Sequence, residues 1–298
     1  MRATCYKGNA SVPFKRTVGW GTVKSALCAT AFNGEKMIRN LLLSNSFLVA
    51  LSLLSLLALP SHSLADTTKL EVRVLSKGAK FIGSSMGGAQ ITIRDRDTGE
   101  LLAQGRTRGG TGDTVKIMQD SAPHHSPVAT EDAAVFEAEL DLDRATRIEV
   151  TAYGPLAQRQ AAQQVSLTQW VVPGKHITGG DALTLEMPGF VVDVLAPATP
   201  VTLSGETVEL TITAHVALMC GCPITPNGLW DANKYEISAI IERNGTVEDT
   251  VPLNFAGEAS QFSATVSLDK KGSYQLTVYA YDPANGNTGV DFATFAIK

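Results

Sequence analysis

The stretch that decides the fold is Val208-Glu-Leu-Thr-Ile-Thr-Ala-His-Val-Ala-Leu218, which runs directly into Met219-Cys220-Gly221-Cys222-Pro223. Val208, Leu210, Ile212, Ala214, Val216 and Leu218 fall on one side of a period-two repeat, and Thr207, Glu209, Thr211 and Thr213 fall on the other. That alternation is the mark of a half-buried strand. The same pattern returns in Tyr235–Ile241, Gln261–Leu268, Tyr274–Tyr281 and Asp291–Ile297, with the turn signals Arg243-Asn244-Gly245 and Lys271-Gly272 between strands. Strands at this spacing predict a sandwich of about seven strands in roughly 100 residues.

Upstream, Leu70, Val72 and Val74, then Ile91 and Ile93, then Phe136, Ala138 and Leu140, then Ile148 and Val150 repeat the alternation. No segment sustains a helical period for long; the best helix candidate is the Ala- and Gln-rich run Leu156–Val165. Gly189-Phe-Val-Val-Asp-Val-Leu195 reads as the close of this first unit, and Ala196-Pro-Ala-Thr-Pro200 as a stiff linker, because proline donates nothing to a sheet. The expected architecture is therefore all-β: two tandem antiparallel sandwiches, residues 66–195 and 201–298, joined by 196–200.

Ahead of them stands an export leader. Met37-Ile-Arg39 is a short basic start, Leu41 to Leu59 is strongly apolar, and Ser63-Leu64-Ala65 fits a cleavage site before Asp66. Residues 37–65 are thus expected to be a signal peptide, and residues 1–36 a mis-assigned start or leader extension. The competing reading keeps the apolar run as an anchor, but Ser44, Asn45 and Ser46 interrupt it and Pro60 ends it. No stable membrane insertion is expected after cleavage, and the expected location is periplasmic or secreted. Loss of the leader removes seven basic residues and one acidic one, leaving 18 against 28 and a net charge of −10. So acidic a surface repels phosphate backbones and anionic lipid, which disfavours nucleic-acid and membrane-surface roles.

Two resemblances follow from particular motifs. Gly88-Ala-Gln-Ile-Thr-Ile-Arg-Asp-Arg-Asp97-Thr-Gly-Glu-Leu-Leu-Ala-Gln-Gly105-Arg-Thr107, with Phe136–Ala152 after it, resembles the carboxypeptidase regulatory-like (transthyretin-like) sandwich. The insertion Arg108–Asp132, rich in Gly and His, departs from that motif. Gly272-Ser-Tyr274 through Asp282-Pro-Ala-Asn-Gly-Asn-Thr-Gly289 resembles the closing hairpin of bacterial immunoglobulin-like domains. The resemblances imply non-catalytic modules for adhesion, accessory contacts, or carbohydrate and protein binding; fold alone does not fix function. A protein or small-ligand partner is expected, with the oligomeric state open.

Chemistry is concentrated at Cys220 and Cys222, the two cysteines that survive leader removal. Two readings compete there. One is a disulfide, expected in an oxidising compartment; the other is a soft-metal site in which Cys220, Cys222, Met219 and His215 hold Cu(I). A regular strand places His215 and Met219 opposite the cysteines, so convergence needs a bend at Gly221 or Pro223. A third reading is a thiol-redox protein, and a fourth leaves buried thiols as small apolar residues. Weaker candidates are Gly83-Ser-Ser-Met-Gly87, which has the letters of a nucleophile elbow without its strand-turn-helix context, the loop Gly109–Thr114, His124-His125, His176, the oxygen-rich Asp282–Asp291, and the tryptophans Trp170 and Trp230. No catalytic residue is expected among them.

Overall fold

In the first half of the chain, β1 (Asp66–Ser76), β2 (Gln90–Asp95), β4 (Phe136–Leu142) and β5 (Thr146–Gly154) form where the alternation places them, and β3 (Leu101–Arg106), β6 (Gln163–Val171) and β7 (Leu183–Met187) join them. The structure is a computed structural model that describes residues 66–119 and 126–298. The leader expectations for 1–36 and 37–65, and the pair His124-His125, lie outside the described residues. Two sheets, ordered β4-β1-β7 and β3-β2-β5-β6, make a seven-stranded sandwich. On β4 the carboxylates Glu137, Glu139 and Asp141 face out while Ala138, Leu140 and Leu142 face in. They meet Ile148, Val150 and Ala152 of β5 and Ile91 and Ile93 of β2 in the first core. All pairings are antiparallel except β1 with β7, which is parallel.

The helix expected at Leu156–Val165 does not form. Turns occupy its first half, and from Gln163 the chain is β6, paired with β5 residue by residue from Gln163↔Gly154 to Val171↔Thr146. Val165 and Leu167 lean on the first core, so a period of two with a full backbone ladder overrides the helical propensity of Ala and Gln. Among the described residues the α-helix that does form is one turn, α1 (Thr114–Met118), inside the Arg108–Asp132 insertion. Asp113 caps it by accepting a hydrogen bond from Lys116 N at 2.7 Å.

The second sandwich comprises β8 (Phe190–Ala196), β9 (Val201–Leu203), β10 (Val208–Leu218), β11 (Glu236–Arg243), β12 (Thr246–Pro252), β13 (Asn254–Phe255), β14 (Gln261–Leu268), β15 (Gly272–Tyr281) and β16 (Thr288–Ile297). Its sheets are ordered β13-β14-β10-β8 and β12-β11-β15-β16-β9. Nine strands replace the expected seven because short edge pieces, β9 and β13, complete each sheet. Asn244 (φ 50°) and Gly245 (φ 80°) make the two-residue hairpin between β11 and β12, where both central residues need positive φ.

The domain boundary moves. Expected to close the first unit, β8 instead pairs antiparallel with β10, so the chain passes between sandwiches at Pro188–Gly189, and 196–200 links two strands of the second. The segment is apolar on both faces because both are buried: Val191 packs in the first core, Phe190 and Val192 in the second. The described residues accordingly cluster as one unit.

Candidate functional site

Beyond Leu218 the chain reverses tightly. Gly221 N donates to Leu218 O at 2.8 Å, Leu218 N donates to Cys222 O at 3.3 Å, and Gly221 sits at φ +75°, a conformation that glycine adopts without a Cβ penalty. This turn brings Cys220 and Cys222 into a disulfide with a Cα–Cα separation of 5.3 Å. Both are buried in the second core, 2% and 4% exposed.

The other two expected ligands go elsewhere. Met219 is fully buried in the first core, beside Gly189. His215 stays in mid-strand on β10, opposite Asp193 of β8 and Gln261 of β14. Among the described residues no group of three or more His, Cys, Asp or Glu is placed to hold a metal ion. Disulfide sulfurs are not thiolates, so Cu(I) coordination by Cys220 and Cys222 belongs to the reduced chain.

What the loop does touch is the first sandwich. A Cβ on Gly221 would lie 2.6 Å from Met86 Sδ, so the thioether rests directly on the turn. Further along the same loop, Trp230 Nε1 donates to Gly78 O at 3.1 Å. Asn287, buried in the β15–β16 hairpin, donates from Nδ2 to Lys77 O at 3.0 Å and accepts at Oδ1 from Gly189 N at 3.2 Å. Lys77 Nζ returns a bond to Asn285 O at 2.9 Å, and Gln160 Nε2 reaches Val192 O at 3.3 Å. Ala79 and Met118 pack on the second core. These contacts form a continuous seam between the sandwiches. Sequence reading passed it over: Met86 lay in an apparent elbow motif and Asn287 in an apparent turn, and nothing local signals a partner some 200 residues away.

The Thr225–Trp230 loop is held by Asp231, whose carboxylate accepts from Asn227 N at 2.8 Å and from Asn233 N at 3.0 Å. Those bonds to backbone N–H groups, Asn233 foremost, hold its carboxyl below the ordinary carboxylate range. Next to it, burial pushes the Tyr235 phenol up to about 12, with the charges of Asp282 and Asp231 adding to the effect. Tyr235 stands edge-on to Phe190, centroids 5.2 Å apart, and lines an open cleft of about 480 Å³ with Phe255, Phe262 and Pro252.

The remaining candidates resolve as follows. Ser84–Met86 is a single 3-10 turn, and Ser84 Oγ accepts from Gly109 N at 3.1 Å. His176 Nδ1 accepts from Lys69 N at 3.2 Å. Asp282–Asp291 spans the β15–β16 turn, where Asp282 N donates to Asn287 O at 2.9 Å. Trp230 is buried, whereas Trp170 is 59% exposed, with the Arg147 guanidinium 5.8 Å from its ring centre. No helix among the described residues is long and apolar enough to cross a membrane.

No protein-family model and no curated protein matches the chain. Among solved structures it is similar to an engineered protein at 19% identity and TM-score 0.27, covering 43% of this chain and 24% of that one. It is also similar to fibronectin(III)-like modules of CbhA from Clostridium thermocellum (14% identity, 71% of this chain and 78% of that one, TM-score 0.25) and to titin domains Z1Z2 in complex with telethonin (10%, 78% and 87%, TM-score 0.23). The chain spans about a quarter of the engineered protein's length.

Proposed function

We propose that the protein is an exported, non-catalytic accessory module in which two β-sandwiches act as one stiff body and the Cys220–Cys222 disulfide is a staple that shapes their seam. The observation that carries this reading is the position of the staple. Both sulfurs are buried in the second core, while the glycine between them is pressed by Met86 of the first sandwich. A disulfide in that position fixes a turn that two domains share. Its burial also keeps it from an attacking thiolate, whose approach any exchange reaction requires.

A disulfide of this kind suits an oxidising compartment, and the excess of carboxylates suits a soluble partner that is neither nucleic acid nor anionic membrane. The partner is a protein or a small ligand. The test is an oxidoreductase assay on a small disulfide substrate, run beside thermal unfolding of the Cys220→Ser, Cys222→Ser variant. A staple gives no turnover and a lowered midpoint with the fold retained. Sustained thiol–disulfide turnover abolished in the variant would replace this reading with the redox one.

A further inference from the structure

Residues from both sheets of the second sandwich line the cleft of about 480 Å³ beside Tyr235, a volume within the range of small-ligand sites. One sheet contributes Phe255 of β13 and Phe262 of β14, direct cross-strand partners whose rings stand 6.0 Å apart at 78° to one another. The other contributes Tyr235 and Glu236, where the chain enters β11. Phe262 is buried, while Phe255 and Tyr235 are half-buried and keep part of their surface open. Glu236 is exposed, and its Oε1 accepts from the Tyr279 hydroxyl, which holds the carboxylate at the rim.

The surroundings of the cleft are acidic. Asp231 and Asp282 directly precede the lining residues Ala232 and Pro283, so with Glu236 three carboxylates stand against the ammonium of Lys234. Their field reaches the rings: burial raises the Tyr235 phenol first, and the charges of Asp282 and then Asp231 raise it further. From Phe190 onward the chain carries 12 acidic and 5 basic residues, so the longer-range potential has the same sign.

Ring faces and a negative potential together favour a cation with an apolar skin. A metal ion needs converging ligands, and among the described residues no group of three or more His, Cys, Asp or Glu is placed to hold one. A primary ammonium is strongly hydrated and gives up that shell at a cost. A methylated ammonium gives up little and presents methyl groups that pack on aromatic faces while its charge meets their quadrupoles.

We propose that this cleft binds a methylated ammonium group, seated against the rings of Tyr235 and Phe255, backed by Phe262, with Glu236 as its counter-ion. The site does not depend on the disulfide, and its failure would leave the staple reading untouched.

The experiment is isothermal titration of the full chain, as the cell processes it, with three probes: choline, the uncharged isostere in which a tert-butyl group replaces the trimethylammonium head, and ethanolamine. Choline should saturate in the millimolar range or tighter, and the other two should each bind several-fold more weakly. Phe255→Leu keeps an apolar side chain but removes the ring, and should weaken choline about three- to tenfold. Glu236→Gln changes an exposed residue and leaves the core alone; it should weaken choline several-fold without altering the isostere. If circular dichroism shows that Phe255→Leu has lost its fold, Glu236→Gln carries the comparison. Absence of saturable choline binding overturns the proposal. So does an isostere or ethanolamine that matches choline, or choline binding that Glu236→Gln or a folded Phe255→Leu leaves intact.

Discussion

Asn287 and Lys77 are joined across the seam between the sandwiches: the Asn287 amide donates to the Lys77 carbonyl at 3.0 Å while its oxygen accepts from Gly189 N at 3.2 Å. A buried carboxamide that satisfies two backbone groups from the far side of a junction couples the unfolding of both halves. The moved boundary works in the same direction, since cutting at 196–200 would separate β8 from β10.

Asn287→Ala should therefore lower stability by about 1–3 kcal/mol, because it leaves the buried Gly189 N–H and the half-buried Lys77 carbonyl without this partner. Urea unfolding followed by fluorescence and by circular dichroism should show one coincident transition in wild type, shifted to lower urea in the variant. Two separate wild-type transitions would mean that the seam does not couple the sandwiches.

Gly221→Ala should cost about 1–3 kcal/mol, since a side chain at φ +75° is strained and its Cβ would meet Met86 Sδ at 2.6 Å. Only the second part depends on Met86. Placed in a Met86→Ala background, Gly221→Ala should cost measurably less, and a double-mutant cycle reads the difference. Strict additivity would show that the thioether does not rest on the turn.

How far the sequence showed this arrangement depends on the range of the interaction. The strands were legible because alternation is local: β10, β11, β14, β15 and β16 appear at or near the positions their apolar residues predict. The bend at Gly221 was legible for the same reason. The allegiance of β8 was not, because an apolar run records burial on both faces without saying which sheet supplies the hydrogen bonds. Leu156–Val165 misled in a different way: its good helix formers outvoted the alternation that begins at Gln163 and that only the β5 ladder makes decisive. Met219 illustrates the limit at the site. Adjacent to Cys220 in sequence, it points into the other core, since consecutive residues at a strand end face opposite ways.

That divergence makes a sharp statement about copper. Protein that has lost its leader and been purified in air should show no free thiol on denaturation without reductant, and should take up no Cu(I) in competition with a chelator. After reduction, any uptake should depend on Cys220 and Cys222, while Met219→Leu should leave it unchanged, because the thioether packs away from both sulfurs. Weakened uptake in Met219→Leu would restore the four-ligand site.

Acid should loosen the exposed loops first. Asp231 is held below its ordinary range by the N–H bonds of Asn233 and Asn227, Asp95 by those of Thr98 and Asp97, and Glu248 by Lys270 and Arg243. A carboxyl whose folded pKa is depressed binds fewer protons in the native state than in the unfolded one. Its contribution is present above the unfolded value near 4 and is lost as pH falls through the folded value. Below about pH 4 the Thr225–Trp230 loop should open ahead of global unfolding, visible as a change in tryptophan fluorescence that Asp231→Asn displaces.

At the alkaline end Tyr235 makes a contribution of its own. Its phenol is pushed up to about 12 in the folded protein, chiefly by burial, against 10 in its absence. The unfolded chain thus gives up this proton first as pH rises, and between those two values it binds fewer protons than the native state. Stability must then fall with rising pH, beginning near 10 and levelling off beyond 12. Tyr235→Phe keeps the edge-on contact with Phe190 and removes the titration. Its stability relative to wild type should therefore rise across that window and stay flat below it, as read from urea midpoints at successive pH values. Parallel curves for the two proteins would mean that Tyr235 ionises as readily in the fold as outside it.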